Sequence, residues 1–296
     1  MIDKTISSIF KGGSTTYYYS TIFFPEKVKK DVFILYSFLR KADDYVDDIP
    51  QDIDGFYAFK ERYESALQGE VTGDVVVDSF AQLSQRKQFD KRWVDSFLKS
   101  MEMDITINEY ETLKDLKNYL NGSAEVVGLF MASIMGLSKE SYESARYLGR
   151  AMQYMNFIRD IDEDVDLGRT YFPQRELRKH DLEGLSYDQI KDKKENFQAF
   201  IQDQIKIYHK WQARAEEGYK YIPYRYLIPI KTAADMYTWT GSQIKKDPLV
   251  VYKRKIKPSK LRIVTKVFYN SFKSFQIAKS DACPFKKKCG FKNSSK

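Results

Sequence analysis

Two acid-rich stretches stand out in the chain, Asp-Asp-Tyr-Val-Asp at Asp43 to Asp47 and a second run from Asn156 to Asp164. At about 100° per residue on a helix, Tyr36, Arg40, Asp43 and Asp47 fall in one narrow sector, with Asp44 and Asp48 beside it. Ala145, Gly149, Gln153, Asn156, Asp160 and Asp164 share a second face, small in its first half and acidic in its second. Like charges at this spacing weaken an isolated helix by about 0.2–0.5 kcal/mol per pair, so a cation held between them relieves a real cost. Magnesium keeps several waters, takes one or two carboxylates and completes its shell with substrate phosphate oxygens. Two acid patches of this kind are what a magnesium-bridged diphosphate requires. Arg40 and Arg159 sit next to the acids and suit the remaining phosphate oxygens through forked hydrogen bonds. The small half of the second face lets an apolar chain lie against helix backbone, so the whole reads as a tunnel with a metal-binding mouth.

The elements that must position these residues are helices. Glu109 to Met135, Glu140 to Asp164 and Ser186 to Tyr221 lack internal proline and carry apolar residues at three- and four-residue intervals. Pro25, Pro50 and Pro173 punctuate the pattern near helix boundaries. Val75 to Val77 is β-branched and reads as a possible strand, too short and isolated to build a sheet. The expectation is an all-α bundle of long antiparallel helices around a central cavity. At 296 residues and 43% hydrophobic, the chain suffices for one substantial core. We expect one helical domain over residues 1–280 and a basic, disordered tail over 281–296.

At these residues the chain resembles the squalene/phytoene synthase family of head-to-head prenyl transferases, whose fold is the isoprenoid-synthase helical bundle. Ser14, Thr16 and Tyr17 are similar to the family's short hydroxyl and aromatic opening motif, and Tyr36, Arg40, Asp43, Asp44 and Asp47 to its first aspartate-rich helix. Tyr119, Ser123, Val127 and Gly128 are similar to its mid-chain pocket helix. Ala145, Gly149, Gln153, Asn156, Arg159, Asp160, Glu163 and Asp164 match its second acid helix, and Gly168 to Pro173 the segment that follows. Tyr237 and Arg254 correspond more weakly to the C-terminal part of the pocket. Three positions depart from the pattern. Gly13 stands where many relatives carry histidine, Asp162 replaces a usual glycine, and Ser123 puts a hydroxyl at a position that is often apolar.

The resemblance implies that two identical allylic diphosphates are joined through a cyclopropyl (prephytoene) diphosphate. Two geranylgeranyl diphosphates give 15-cis-phytoene; two farnesyl diphosphates give dehydrosqualene, or squalene where NADPH supplies a hydride. The implied cofactor is two or three magnesium ions held by Asp43, Asp44, Asp47, Asn156, Asp160 and Asp164, with NADPH needed only for squalene. Tyr36, Arg40, Arg159 and Tyr237 are the implied catalytic residues. Ser14, Thr16, Tyr17, Tyr119, Ser123, Val127, Gly128, Ala145, Gly149, Gln153 and Arg254 are the implied substrate contacts. Chain-elongating prenyl synthases and terpene cyclases fit less well, because the second acid run here reads NxxRDxxED.

Charge is concentrated at one end. From Lys245 to Lys296 there are 16 Lys and Arg against two Asp, while the whole chain carries a net +8, so the first 244 residues are net acidic. A basic nucleic-acid or membrane adaptor would use such a tail, but the acidic helices would repel nucleic acid, and no nucleic-acid partner is expected. Peripheral contact with an anionic membrane is compatible. Leu261, Val264, Phe268, Phe272 and Phe275 form an apolar stripe within this region, read first as the last helix covering the core and second as a membrane anchor. No apolar run of about 18 residues and no signal-peptide pattern occurs, which predicts a cytoplasmic or peripheral protein. Cys283 and Cys289 are the only cysteines, and with no histidine near them they match neither a disulfide framework nor a zinc site. His180 and His209 are assigned no role.

Overall fold

A computed structural model describes residues 2–281, apart from the side chains of Thr15 and of residues 273–281. The segment from 282 onward, with Cys283 and Cys289, and the side chain of Phe275 lie outside the described residues. Helices α1 (Lys4–Gly13) and α2 (Thr15–Thr21) lead into α3 (Glu26–Asp47), followed by α4 (Ile53–Leu67), α5 (Val75–Lys87) and α6 (Lys91–Thr106). Helix α7 (Leu113–Leu120) runs through one π turn at Asn121–Glu125 into α8 (Val126–Met135). Then come α9 (Tyr142–Arg159), α10 (Ile161–Asp166), α11 (Gln174–Lys179), α12 (Tyr187–Ile190), α13 (Lys194–Glu216), α14 (Tyr224–Lys246) and α15 (Lys260–Asp281). Among the described residues there is no strand, only an isolated bridge between Glu109 and Thr170, and the fold is all-α as expected.

Local chemistry sets the boundaries, and in four places it departs from the periodicity. Val75 to Val77 opens α5 and forms no strand: the Asp74 side chain accepts from the Val76 and Val77 amides, and both valines are buried. Cap and burial together outweigh the weak helix preference of β-branched residues. The helix expected from Glu109 begins only at Leu113, where Thr112 and Asp115 cap each other reciprocally. The run expected from Ser186 to Tyr221 divides into α12 and α13, and its last residues, Glu217–Tyr221, tighten into a 3-10 turn. The second acid helix is interrupted at Asp160 (φ −103°, ψ 17°). The Asp160 and Asp164 amides still donate, each at 2.8 Å, to the carbonyls of Asn156 and Asp160, so the acidic face continues across the break.

Two apolar clusters form, one mainly on α1 and α3 to α6 with α8, the other on α7, α9, α13 and α14. Where α8 and the π turn before it meet α9, the backbones approach closely. A Cβ on Gly128 would lie 2.1 Å from the Ala145 carbonyl oxygen, and one on Gly149 would lie 2.1 Å from that of Ala124. A buried carboxylate clamps the same contact: Glu125, on the π turn, accepts from Arg150 at 2.6 Å and pairs with Arg146 at 3.4 Å.

The final helix corrects the sequence expectation. Ile263, Val267 and Asn270 are its buried residues, while Leu261, Phe268 and Phe272 point to solvent and Val264 is only partly covered. The stripe expected to cover the core therefore faces outward.

The close approach of α8 and α9 predicts that Gly149→Val loses about 3 kcal/mol of stability through a backbone clash. Gly12→Ala, on α1 with nothing within 4 Å of the added Cβ, should gain about 0.5 kcal/mol. Urea unfolding of both variants checks the contrast; a Gly149→Val midpoint equal to that of the unmodified protein would contradict it.

Candidate active site

A cavity of about 700 Å3 runs between the two clusters, with Phe10, Leu35, Phe97 and Met101 on one side and Ala124, Met152, Phe157 and Ala233 on the other. Its volume lies in the range of about 300–1,000 Å3 usual for ligand pockets. Helix α3 turns Tyr36, Arg40, Asp43 and Asp47 into it, because the opposite face of α3, from Val28 to Val46, is consumed by the core. Helices α9 and α10 contribute Gln153, Asn156, Arg159, Asp160, Glu163 and Asp164. Ser14, Thr16, Tyr17, Tyr119, Ser123, Val127, Gly128, Ala145, Gly149 and Tyr237 also line it. Nearly every residue singled out from sequence thus meets in one space.

Asp44 does not line the cavity. It lies beside the mouth, paired with Arg40 at 2.5 Å. Arg254 is exposed and outside the lining; its neighbour Lys255 reaches in, 3.2 Å from Asp160 and paired also with Glu163. The basic run Lys253-Arg254-Lys255 marked the region, but which member turns inward depends on how the chain leaves the 3-10 turn at Pro248–Tyr252. Asp162 is also outside the lining and adds no charge to the cavity wall. The space above Gly13 is filled by Tyr36, whose hydroxyl lies 2.4 Å from where a Cβ would sit, so a larger residue there would have to displace that ring.

Cations hold most of the mouth carboxylates. Arg40 bonds Asp43 at 2.9 Å, Arg159 grips Asp160 through two bonds of 2.7 and 2.5 Å, and Arg169 bonds Asp47 at 2.7 Å. Burial opposes the charge on Arg159, but its bond to Asp160 and that carboxylate's charge outweigh it and leave the guanidinium pKa raised. Among the described residues Asp164 has no cationic partner within 4 Å. Burial, then Asp160 and Asp47, push its carboxyl well above the usual range; burial and then Asp47 do the same to Asp43.

A buried layer behind the mouth was not assigned from sequence. Asp104 accepts from Tyr119 at 2.8 Å and Tyr171 at 2.9 Å, and burial lifts its carboxyl to about 7. Arg169, also buried, ties Asp47 to the Val46 carbonyl, with Gly168 at φ 73° allowing the turn that delivers it. Both tyrosines spend their protons on Asp104, which leaves hydroxyl oxygens on the cavity wall. The signal for Asp104 was present: it continues the buried stripe Val94, Phe97, Leu98, Met101 of α6, an acid at an apolar position. Deeper in, Tyr237 donates to Tyr17 at 2.9 Å and Tyr17 to the Met152 sulfur at 3.4 Å; burial raises both phenols, so they stay protonated.

The donor set suits magnesium. The Asn156 Oδ1 is buried without a partner, and Asp43 and Asp164 are carboxylates whose charge is left under-compensated. Among the described residues no three acidic, histidine or cysteine side chains form a ready-made cage.

All-helical walls around an apolar cavity with an acidic and cationic mouth define an isoprenoid-synthase architecture. The solved structures agree on the fold: a squalene synthase from Alicyclobacillus acidocaldarius superposes with TM-score 0.72 at 20% identity over 83% of this chain and 93% of its own. A dehydrosqualene synthase superposes with TM-score 0.71 at 21% identity over 93% and 95%. The chain belongs to the squalene/phytoene synthase family, which it matches over residues 10–262. It is 27% identical to a 15-cis-phytoene synthase of Paracoccus sp. over 84% of each chain. It is 26% identical to a 4,4'-diapophytoene synthase of Staphylococcus haemolyticus over 71% of this chain and 73% of that one. The shared reaction class is head-to-head prenyl transfer.

Carboxyls raised by burial bind protons better in the folded chain than in the unfolded one. The contribution of Asp104 to stability is complete below the ordinary value near 3.8 and is lost as pH rises through about 7, and the raised carboxyls of Asp43 and Asp164 act in the same direction. Metal-free protein should therefore melt higher at about pH 5.5 than at about pH 7.5, and magnesium with inorganic diphosphate should raise Tm more at the higher pH. Calorimetry at both pH values checks this; a larger magnesium effect at the lower pH would count against metal binding by these carboxylates.

Proposed function

We propose that the protein condenses two molecules of geranylgeranyl diphosphate head to head into 15-cis-phytoene, through a cyclopropyl diphosphate. The observation that carries this reading is the meeting, at the mouth of an apolar cavity, of Asp43 and Asp47 from α3 with Asn156, Asp160 and Asp164 from α9 and α10. The C20 donor is favoured by the phytoene synthases among the relatives. The diapophytoene synthase relative supports a second reading, with two C15 donors and dehydrosqualene as product.

In the first step a donor's carbon–oxygen bond to diphosphate breaks, and the double bond of the second donor attacks the allylic cation. Loss of a proton closes the cyclopropane. The second diphosphate then leaves, the skeleton rearranges, and a further proton is lost to give the triene centre. Magnesium, held by Asp43, Asp47, Asn156, Asp160 and Asp164, would supply charge neutralisation for the leaving diphosphates.

The chain's own groups do the rest. Arg40, Arg159 and Lys255 lie on the mouth carboxylates and line the cavity, where they can turn to diphosphate oxygens, two of them with forked geometry. Tyr17, Tyr36 and Tyr237 are neutral phenols on the wall, and their rings and hydroxyl oxygens shelter carbocations without attacking them as phenolates would. Tyr119 presents its oxygen with the proton committed to Asp104. The apolar walls exclude water, which would otherwise quench the cation as an alcohol.

Two measurements test the proposal. Incubation with C15 and C20 diphosphates, with and without NADPH, should give phytoene from the C20 donor without any need for NADPH; dehydrosqualene as the main product would select the second reading. Asp43→Asn and Asp164→Asn should each lower kcat/KM by about two orders of magnitude or more while leaving Tm equal or higher, because each removes an under-compensated charge. Near-normal, magnesium-dependent turnover in both variants would remove these carboxylates from the site.

A further inference from the structure

We propose that the outward face of α15 is a docking surface for an anionic lipid bilayer. The helix is apolar on two opposite sides. One side is fixed inward: Ile263 and Val267 are buried, and Asn270 donates to Thr232 at 3.1 Å and to Asp235 at 2.9 Å. At about 100° per residue Leu261, Phe268 and Phe272 fall on the other side, and they are 73%, 67% and 66% exposed, with Tyr269 beside them at 55%. Single exposed apolar residues are ordinary, but four large ones aligned over three turns of one helix are a surface feature that water does not favour.

The charge around the stripe names its partner. Between Asp247 and Asp281 the sequence has nine Lys and Arg and no Asp or Glu. Lys260, Arg262 and Lys266 flank the stripe, each lying over an aromatic ring: Tyr19 at 5.1 Å, Trp239 at 4.6 Å and Tyr269 at 4.6 Å. An aliphatic and aromatic ridge with a cationic rim is the pattern of a helix lying in a membrane interface, where the ridge enters the acyl boundary and the rim meets anionic headgroups. A second copy of the chain is a poorer occupant, because a two-fold contact through this face would set one basic rim against another.

Position supports the same partner. Helix α15 packs on α2 and α14, and these contribute Tyr17, Thr21, Ile230 and Tyr237 to the cavity lining. Ile22 and Phe23, beside the end of α2, are themselves exposed. The docking face is thus the outer side of the wall that encloses the apolar cavity, a placement suited to passing a hydrocarbon into lipid whichever donor is used. Among the described residues no helix is long and apolar enough to cross a membrane, so contact of this kind would be interfacial.

Flotation of the full chain with vesicles tests the surface. The protein should float with phosphatidylcholine/phosphatidylglycerol vesicles at about 50 mM salt, much less at about 500 mM, and not with phosphatidylcholine alone. The double variant Phe268→Ser, Phe272→Ser should lose lipid binding roughly tenfold or more while its circular dichroism melt is unchanged. A chain ending at residue 281 should still float. Equal flotation of the double variant and the unmodified protein would overturn the proposal, as would no flotation by either. Complete loss on removing residues 282–296 would assign docking to that segment instead. A dimer in light scattering that the double variant dissolves would give the face to a second copy.

Discussion

Everything in this molecule is arranged around a concentration of negative charge beside an apolar space. Asp43 and Asp47 from α3, Asp160 from the break after α9 and Asp164 from α10 come to one cavity mouth, where burial and neighbouring carboxylates oppose the ionisation of Asp43 and Asp164. Such a cluster persists because cations are built in alongside it. Arg40, Arg159, Arg169 and Lys255 each lie within bonding distance of one of these carboxylates. Three of the four are arginines, whose fork can hold a carboxylate or pass to a phosphate with the same geometry. A site of this kind is poised for exchange of partners, since the groups that neutralise the acids are of the type that recognises a diphosphate.

Behind the mouth, rigidity comes from contacts among the protein's own side chains. Arg169 fixes Asp47 against the end of α3 while Asp104 gathers two tyrosine protons, and the stacked pair Phe157–Tyr171, 4.2 Å apart, closes the layer. On the cavity floor the two glycines at the α8–α9 contact let backbone meet backbone, and the Glu125–Arg150 pair holds that contact from the side. Gly149 therefore serves packing as much as pocket shape. The small-residue face of α9 lines the cavity with backbone because its partner helix leaves no room for anything larger.

Charge also divides the molecule. The first 244 residues are net acidic and their mouth cations each lie next to a carboxylate, whereas residues 245–296 carry 16 Lys and Arg against two Asp. The last helix has too much apolar surface for one interface, and only one of its two apolar sides is used inside the protein. A catalyst for long hydrocarbons has a physical reason to keep the other side: water offers no route for such chains.

Sequence alone determined the helical class, the two acidic faces and most of the residues that line the cavity, because helical periodicity is local and a carboxylate pattern survives any packing of the helix that bears it. Tyr36, Arg40, Asp43 and Asp47 share a sector wherever α3 is placed. What only the tertiary structure decided were choices between equivalent local options. Asp104 lies on an apolar stripe, but its tyrosine partners are 15 and 67 residues away along the chain. Lys255 turns inward and Arg254 outward because of the turn before them, and Val75 to Val77 joins a helix because Asp74 caps it and the core receives it. Helix α15 carries apolar residues on two sides, aliphatic on one and mainly aromatic on the other, and it is the aliphatic side, with Asn270 meeting Thr232 and Asp235 on α14, that is buried. In each case the deciding contact lies on another element, where no pattern within the segment itself can register it.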